Sequence, residues 1–161
     1  MKYIIVLVLL FGLFACNTKN ADTKAMQKQI DSLKNELSQV YKPGFGFLMT
    51  NIQAHHAKLW FAGVNKNWKL AQFEIKELKE ISDEIQKYQK QREETKLMDM
   101  IEPALTDLSR AVENKNLTGF KKSFTDLTIA CNDCHKLTDF EYNIVKVPQN
   151  LEFSNQEFKM P

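Results

Sequence analysis

The sequence predicts an all-α protein, and three observations support this fold class. The 161 residues include only 5 Gly and 4 Pro, while Leu, Lys, Glu and Gln are frequent, a composition typical of helices. Apolar residues recur three and four positions apart in five segments between residues 26 and 135, the spacing of one helix face. The stretch 141–147 alternates in polarity and is compatible with a short strand, but a lone strand lacks partners.

The first predicted helix follows a small, polar tether at residues 17–25. Its apolar positions alternate in steps of four and three, a heptad seam: Met26, Ile30, Leu33, Leu37 and Val40. The seam lasts about two heptads, fewer than the roughly three or four that indicate a coiled coil. We interpret it as a stalk, or as a helix lying on the following domain. Self-association through residues 26–40 is the alternative.

Two helices are predicted next, after the helix-breaking Pro43-Gly44 and Gly46. One runs from Phe45 or Phe47 to Ala62, with Gly63 as its stop. Its inward face comprises Leu48 or Met49, Ile52, His56, and Leu59 or Trp60. The other begins near Asn67, a good N-cap. Its stripe comprises Ile75, Leu78, Ile81, Ile85 and Tyr88.

The last two predicted helices follow a polar run at residues 89–94, which we expect to form a loop. One spans about Lys96 to Glu113, and Pro103 either kinks it or marks its true first turn. Its inward residues are Leu97, Ile101, Leu105, Leu108 and Val112. The other starts after Asn116 and reaches His135. Its stripe again alternates in steps of four and three: Phe120, Phe124, Leu127, Cys131 and Cys134.

The most specific motif is Cys131-Asn132-Asp133-Cys134-His135, the C-x-x-C-H pattern of c-type haem attachment. Thiols at positions i and i+3 lie on one side of a helical turn and can add to the two vinyl groups of one porphyrin. The histidine is then held under the iron as its proximal ligand. Because both cysteines continue the inward stripe of their helix, the motif predicts one buried, covalently bound haem c.

The N-terminus indicates export. Lys2 precedes an apolar run from Tyr3 to Ala15 that is too short to span a membrane. The sequence Leu13-Phe14-Ala15-Cys16 resembles the bacterial lipobox, which implies cleavage before Cys16 and a lipid on its thiol. An ordinary signal peptide is the alternative. We therefore predict a signal peptide at 1–15, a tether and stalk helix at 16–43, and a haem-binding domain with a C-terminal tail at 44–161.

Charge and location limit the expected partners. Removing residues 1–15 takes away one lysine and no acidic residue, so 21 Lys and Arg remain against 20 Asp and Glu. This balance gives no reason to expect nucleic acid as a partner. We expect redox proteins of the cell envelope, with the chain on the periplasmic side, anchored to the inner or outer membrane through Cys16.

Four helices with short links and the haem motif late in the fourth resemble the cytochrome c-prime family and its six-coordinate relatives. The likeness covers about residues 45–138, and its specific motif is Cys131 to His135. It implies an up-down-up-down four-helix bundle with haem in the core. It also implies electron transfer when the iron has six ligands and gas binding when it has five. The segment His56 to Gly63, with Asn67-Trp68, is similar to small exported bacterial cytochromes.

The sixth iron ligand would come from the first helix of such a bundle. That helix is antiparallel to the last, so its first turns lie beside His135. Met49 occupies this position and either ligates iron, as in the related b-type bundle, or packs on the porphyrin. His56 lies about 10 Å further along the same face and is the alternative ligand if the haem sits deeper. Met98 and Met100 are weaker candidates, because nothing in the sequence places their helix over the iron.

Several functions are compatible with this pattern. We expect an electron carrier rather than an enzyme, although peroxidase-like activity stays open for a five-coordinate haem. A haem-based gas binder or sensor with a vacant distal site is the second hypothesis. The third is a non-haem metal protein that uses Cys131, Cys134 and His135 with His55 or His56. The apolar tail from Lys136 onward is expected to wrap the bundle and cover the haem edge.

Overall fold

A computed structural model describes residues 15–40 and 42–160, and these residues contain α-helices, one 3₁₀ helix and no strand. The all-α prediction is therefore confirmed for this part of the chain. By its internal contacts the chain divides into two units, residues 1–42 and residues 43–161. None of the helices in the described part is long and apolar enough to cross a membrane.

In the first unit the structure describes helix α1, over Ala15–Val40. Residues 17–25, predicted as a tether, are helical and continue into the predicted stalk helix. The heptad positions are exposed: Met26, Ile30, Leu33, Leu37 and Val40. The predicted signal peptide at 1–15 and the lipid on Cys16 fall outside the described residues, apart from the helical backbone of Ala15 and Cys16.

The second unit is built from five further α-helices and the 3₁₀ helix. They are α2 (Phe45–Val64), α3 (Trp68–Tyr88), α4 (Glu93–Lys96), the 3₁₀ helix (Met98–Ile101), α5 (Glu102–Glu113) and α6 (Leu117–Leu137). Helix α2 packs on α3 and α6, and α5 packs on the same two helices. The predicted inward stripes are largely buried, with Leu48, Leu59, Ile75, Leu105 and Phe124 among the least exposed side chains.

Two of the helix connections use the same tripeptide, Asn-Lys-Asn, at residues 65–67 and 114–116. In each, the lysine adopts a positive φ, 59° for Lys66 and 52° for Lys115. Hydrogen bonds from the lysine and the second asparagine close the preceding helix in a Schellman-type cap. The second asparagine then caps the next helix: Asn67 Oδ1 accepts from Leu70 N, and Asn116 Oδ1 from Gly119 N. The predicted helix start at Asn67 is confirmed.

Gly63 does not stop α2, as the sequence suggested, but lies inside the helix one residue before its end. A Cβ at this position would lie 2.0 Å from Cζ of Phe120. The glycine therefore lets the Phe120 ring of α6 lie directly against the backbone of α2. Phe120 is fully buried and packs with Trp60, Trp68 and Phe124.

The predicted helix from Lys96 to Glu113 is divided into three pieces. Short α4 ends at Lys96, the 3₁₀ helix follows, and α5 begins at Glu102 with Pro103 in its first turn. The second of the two interpretations of Pro103 is correct, because its missing N–H is harmless there. The break turns residues 93–101 across the end of the second unit.

The tail after α6 contains no strand at 141–147, so that interpretation was wrong. Its backbone bonds to side chains of α6 instead of to a neighbouring strand. Further on, Phe158 is buried and packs on Phe61 with ring centroids 5.9 Å apart. The Nζ of Lys58 lies 4.9 Å from the ring centroid of Phe153. These contacts hold parts of the tail against the helices.

Candidate cofactor site

A cavity of about 340 Å³ lies where the start of α2, the 93–101 connection, the end of α6 and the tail meet. This volume falls within the range of roughly 300–1,000 Å³ that ligand pockets span. All five predicted haem-site residues line it: Met49, His56, Cys131, Cys134 and His135. The cavity thus joins residues of α2 and α6 that are far apart in the sequence.

The two cysteines are free thiols on the last turns of α6. Cys131 and Cys134 are both half-buried. Desolvation, together with the neighbouring Cys134, raises the pKa of Cys131 to about 12. Burial also raises the pKa of Cys134, and the charge of Glu94 adds to this effect. Reactive or metal-binding cysteines depend on thiolates, so this site instead holds two neutral thiols.

His135 is oriented by the tail. Its Nδ1 lies 2.6 Å from the backbone oxygen of Asn143. A carbonyl oxygen only accepts hydrogen bonds, so Nδ1 carries the proton and the lone pair is on Nε2. In a metal-ligating histidine, a hydrogen bond from the other ring nitrogen fixes the tautomer and the ring orientation and makes the histidine a better ligand. The bond to Asn143 is of this kind.

Asn132, inside the C-x-x-C-H motif, holds the same segment of the tail. Its Nδ2 donates to the oxygen of Val145, and its Oδ1 accepts from the Val145 nitrogen, both at 2.8 Å. The amide therefore pairs with the tail as a neighbouring strand would. This role could not be read from the motif, in which the two middle positions are variable.

Two methionines reach the cavity. Met49 lies in the first turns of α2, as predicted, and is partly buried against the core. Met98 also lines the cavity and is buried, because the 3₁₀ helix brings it across the end of the unit. This position could not be read from the sequence, because the path of residues 93–101 before Pro103 depends on tertiary packing.

His56 is buried and hydrogen-bonded to α6. Its Nε2 lies 2.9 Å from Oγ1 of Thr128, whose hydroxyl donates to the oxygen of Phe124. Because that hydroxyl has one proton, it accepts from Nε2–H, and the lone pair of His56 is on Nδ1. Burial lowers the pKa of His56 to about 4, so the ring is neutral at pH 7.

His55 belongs to a separate cluster between α2 and α3. Its Nδ1 lies 2.6 Å from Oε2 of Glu74, which is buried. Burial raises the pKa of Glu74, opposed by the hydrogen bond from His55 and the charge of Lys58. His55 therefore lies at a helix interface and does not line the candidate cofactor site.

Glu94 is a cavity residue that the sequence analysis missed. It is buried, and it forms two hydrogen bonds with Arg92, of 2.6 Å from Nη2 and 3.2 Å from Nε. The guanidinium carbon of Arg92 lies 4.3 Å from the ring centroid of Phe45, another lining residue. Only the charged, polar character of the 89–94 run was visible in the sequence.

Within the described ranges, no three His, Cys, Asp or Glu side chains are grouped so that they could hold a metal ion. Comparisons with protein-family models, with curated proteins and with solved structures find no match to this chain.

Proposed function

We propose that this protein is an exported, lipid-anchored, monohaem c-type cytochrome that carries electrons. The observation that carries this proposal is the shared cavity of Cys131, Cys134 and His135 with Met49 and His56. The first three form the attachment motif, and the other two lie on the helix from which a sixth ligand was expected. Bound haem would supply the one-electron change of its iron.

The residues fit covalent haem. Cys131 and Cys134 would hold the porphyrin as thioethers, and their neutral thiols need no stabilised thiolate. His135 directs the lone pair of Nε2 away from its bond to Asn143, as a proximal ligand requires. Apolar residues of the lining, such as Phe45, Ile52 and Ile101, would contact the porphyrin.

We further propose that α2, α3, α5 and α6 form an up-down-up-down bundle. The support is that each successive pair packs together and that α6 packs on α2, which closes the ring. Short connections, such as the Asn-Lys-Asn turns, favour antiparallel neighbours. Haem would then lie at the end of the bundle, between the start of α2 and the end of α6.

For the sixth ligand we propose Met49. Met49 lines the cavity near the start of α2, whereas His56 donates from Nε2 to Thr128 and has only Nδ1 left for iron. A Met/His pair stabilises ferrous iron and raises the reduction potential. Ligation by His56 through Nδ1, which would give a bis-His haem, is the alternative.

The remaining parts of the proposal concern location. A lipid on Cys16 would hold the chain at the periplasmic face of the inner or outer membrane, and α1 would serve as the stalk. Its partners would be redox proteins of the envelope. The zinc alternative is less well supported, because it requires thiolates where the thiol pKa is raised, and because His55 is bonded to Glu74.

Absorption spectra test this function on protein matured with the haem-attachment machinery. We expect a low-spin ferric haem with methionine ligation in the wild type, and loss of the methionine signature in Met49→Ala but not in Met98→Ala. His56→Ala should retain it. A high-spin ferric haem that binds carbon monoxide promptly when reduced would overturn electron transfer in favour of gas binding.

A further inference from the structure

Glu94 brings a negative charge to the wall of the candidate cofactor site. The residue is only 8% exposed, although the chain around it is polar. It lines the same cavity as Cys134 and His135. Its partner Arg92 is more exposed, with 41% of its side chain accessible against 11% for Glu94, and it stacks on Phe45 at the edge of the site.

The carboxylate of Glu94 is ionised in this environment. Burial alone would raise its pKa, but the hydrogen bonds from Arg92, a backbone hydrogen bond and the charge of Arg92 outweigh burial, so the pKa is lowered. The two bonds from Nε and Nη2 fix the carboxylate in one orientation. Glu94 is therefore a permanent anion at neutral pH.

The field of Glu94 reaches the end of α6, because Glu94 lines the same cavity as Cys134 and His135. A negative charge on the wall of this cavity opposes the addition of an electron to a cofactor held there. The effect is larger there than in water, because the surrounding dielectric is lower.

We propose that Glu94, held by Arg92, is a positioning residue whose charge lowers the reduction potential of a haem bound at Cys131 and Cys134. This inference rests on the proposed function. The carboxylate favours the ferric state, which carries one more positive charge than the ferrous state. Arg92 offsets only part of this effect, since it is the more exposed of the two and does not line the cavity.

The test is potentiometric titration of the haem-loaded protein at pH 7, with the wild type and the isosteric variant Glu94→Gln. At a fixed potential we expect the ratio of reduced to oxidised haem to rise roughly tenfold in the variant, which is about 59 mV for a one-electron couple. The absorption bands should not change, because the iron ligands are untouched.

Glu93→Gln is the matched control. It removes the same charge from the same short helix, but Glu93 is exposed and pairs with Lys96, so solvent screens it. We expect the ratio of reduced to oxidised haem in Glu93→Gln to stay within about twofold of the wild-type ratio. Equal ratios in the two variants would overturn the proposal, and so would altered iron ligation in Glu94→Gln.

If Glu94→Gln does not accumulate with haem, the double variant Arg92→Gln/Glu94→Gln replaces it. The double variant leaves no charge unpaired. We expect the ratio of reduced to oxidised haem to rise in it as well, but by less than in Glu94→Gln. No rise would contradict the proposal. Absence of covalent haem from the wild type would instead refute the proposed function, before any variant is compared.

Discussion

The Nδ1 of His135 and the backbone oxygen of Asn143 lie 2.6 Å apart. This bond joins the last residue of the C-x-x-C-H motif to the tail that follows it. It fixes which nitrogen of His135 would be free for iron, so the tail contributes to the proposed haem site.

The tail position depends on Asn132, and Asn132→Ala should loosen it. The variant loses both hydrogen bonds to Val145, each contributing about 1 kcal/mol. We expect the free energy of unfolding to fall by about 2 kcal/mol in chemical denaturation of the haem-loaded protein. Amide hydrogen exchange of residues 143–147 should become faster.

Asn143→Ala is the control for that experiment. It removes an exposed side chain but keeps the backbone oxygen that His135 uses. Stability and exchange close to those of the wild type are expected. A loss as large as that in Asn132→Ala would show that the asparagine pairing with Val145 is not what holds the tail.

Acid should destabilise the protein through His56. Its pKa is about 4 in the folded chain against 6.5 for the ordinary group. The unfolded chain therefore takes up a proton between about pH 6.5 and 4 that the folded chain excludes. The contribution of neutral His56 to the free energy of unfolding is fully present above pH 6.5. It decreases as the pH falls, and about 3 kcal/mol is lost at pH 4.

His56→Gln isolates this effect, since its amide can still donate to Thr128 without titrating. Denaturation curves at a series of pH values should show that, between pH 6.5 and 4, the free energy of unfolding falls by about 3 kcal/mol less in the variant than in the wild type. Parallel curves for the two proteins would mean that His56 does not stay neutral in the folded chain.

Gly63→Ala should be strongly destabilising. The new Cβ would meet the ring of Phe120 at 2.0 Å, and Phe120 is enclosed by aromatic neighbours. Overpacking of this kind costs about 2–3 kcal/mol. The control is Gly46→Ala, where nothing lies within 4 Å and a helical alanine should stabilise by about 0.5–1 kcal/mol. Thermal denaturation of both variants tests this prediction. Equal stabilities of Gly63→Ala and Gly46→Ala would contradict the close approach of Phe120 to Gly63.

The buried Glu74 should matter more than exposed carboxylates of α3. Glu74→Ala removes the partner of His55 and leaves a space in the core, at a cost of about 3 kcal/mol. Glu80→Ala breaks a pair with Lys76 that lies in solvent, where ion pairs contribute little. Chemical denaturation that finds similar losses for both would show that the His55–Glu74 contact does not stabilise the fold.

The sequence predicted the parts of the fold that local chemistry decides. Asn67 has the residue type of an N-cap and serves as one, and the stripe of Phe120, Phe124 and Leu127 is buried because its helical period is regular. Gly63 was misread, since its role depends on Phe120, which is distant in the sequence. The helical state of residues 17–25 could not be read from the sequence, because this polar segment has no apolar period.

In the candidate site, too, the sequence indicated some residues, while others depend on tertiary packing. Cys131, Cys134, His135, Met49 and His56 could be chosen from a motif and a helix period, and they share one cavity. Glu94, Met98 and Asn132 could not be chosen, because their positions depend on the break before Pro103 and on the path of the tail. Such non-local packing has no periodic signal in one sequence.

Intact mass of the denatured protein tests the central claim most directly. After coexpression with the haem-attachment machinery, the wild-type chain should carry the mass of one haem, and Cys131→Ala/Cys134→Ala should carry none. Haem that separates from the wild-type chain on denaturation, or haem retained covalently by the double variant, would contradict a covalent haem at these two cysteines.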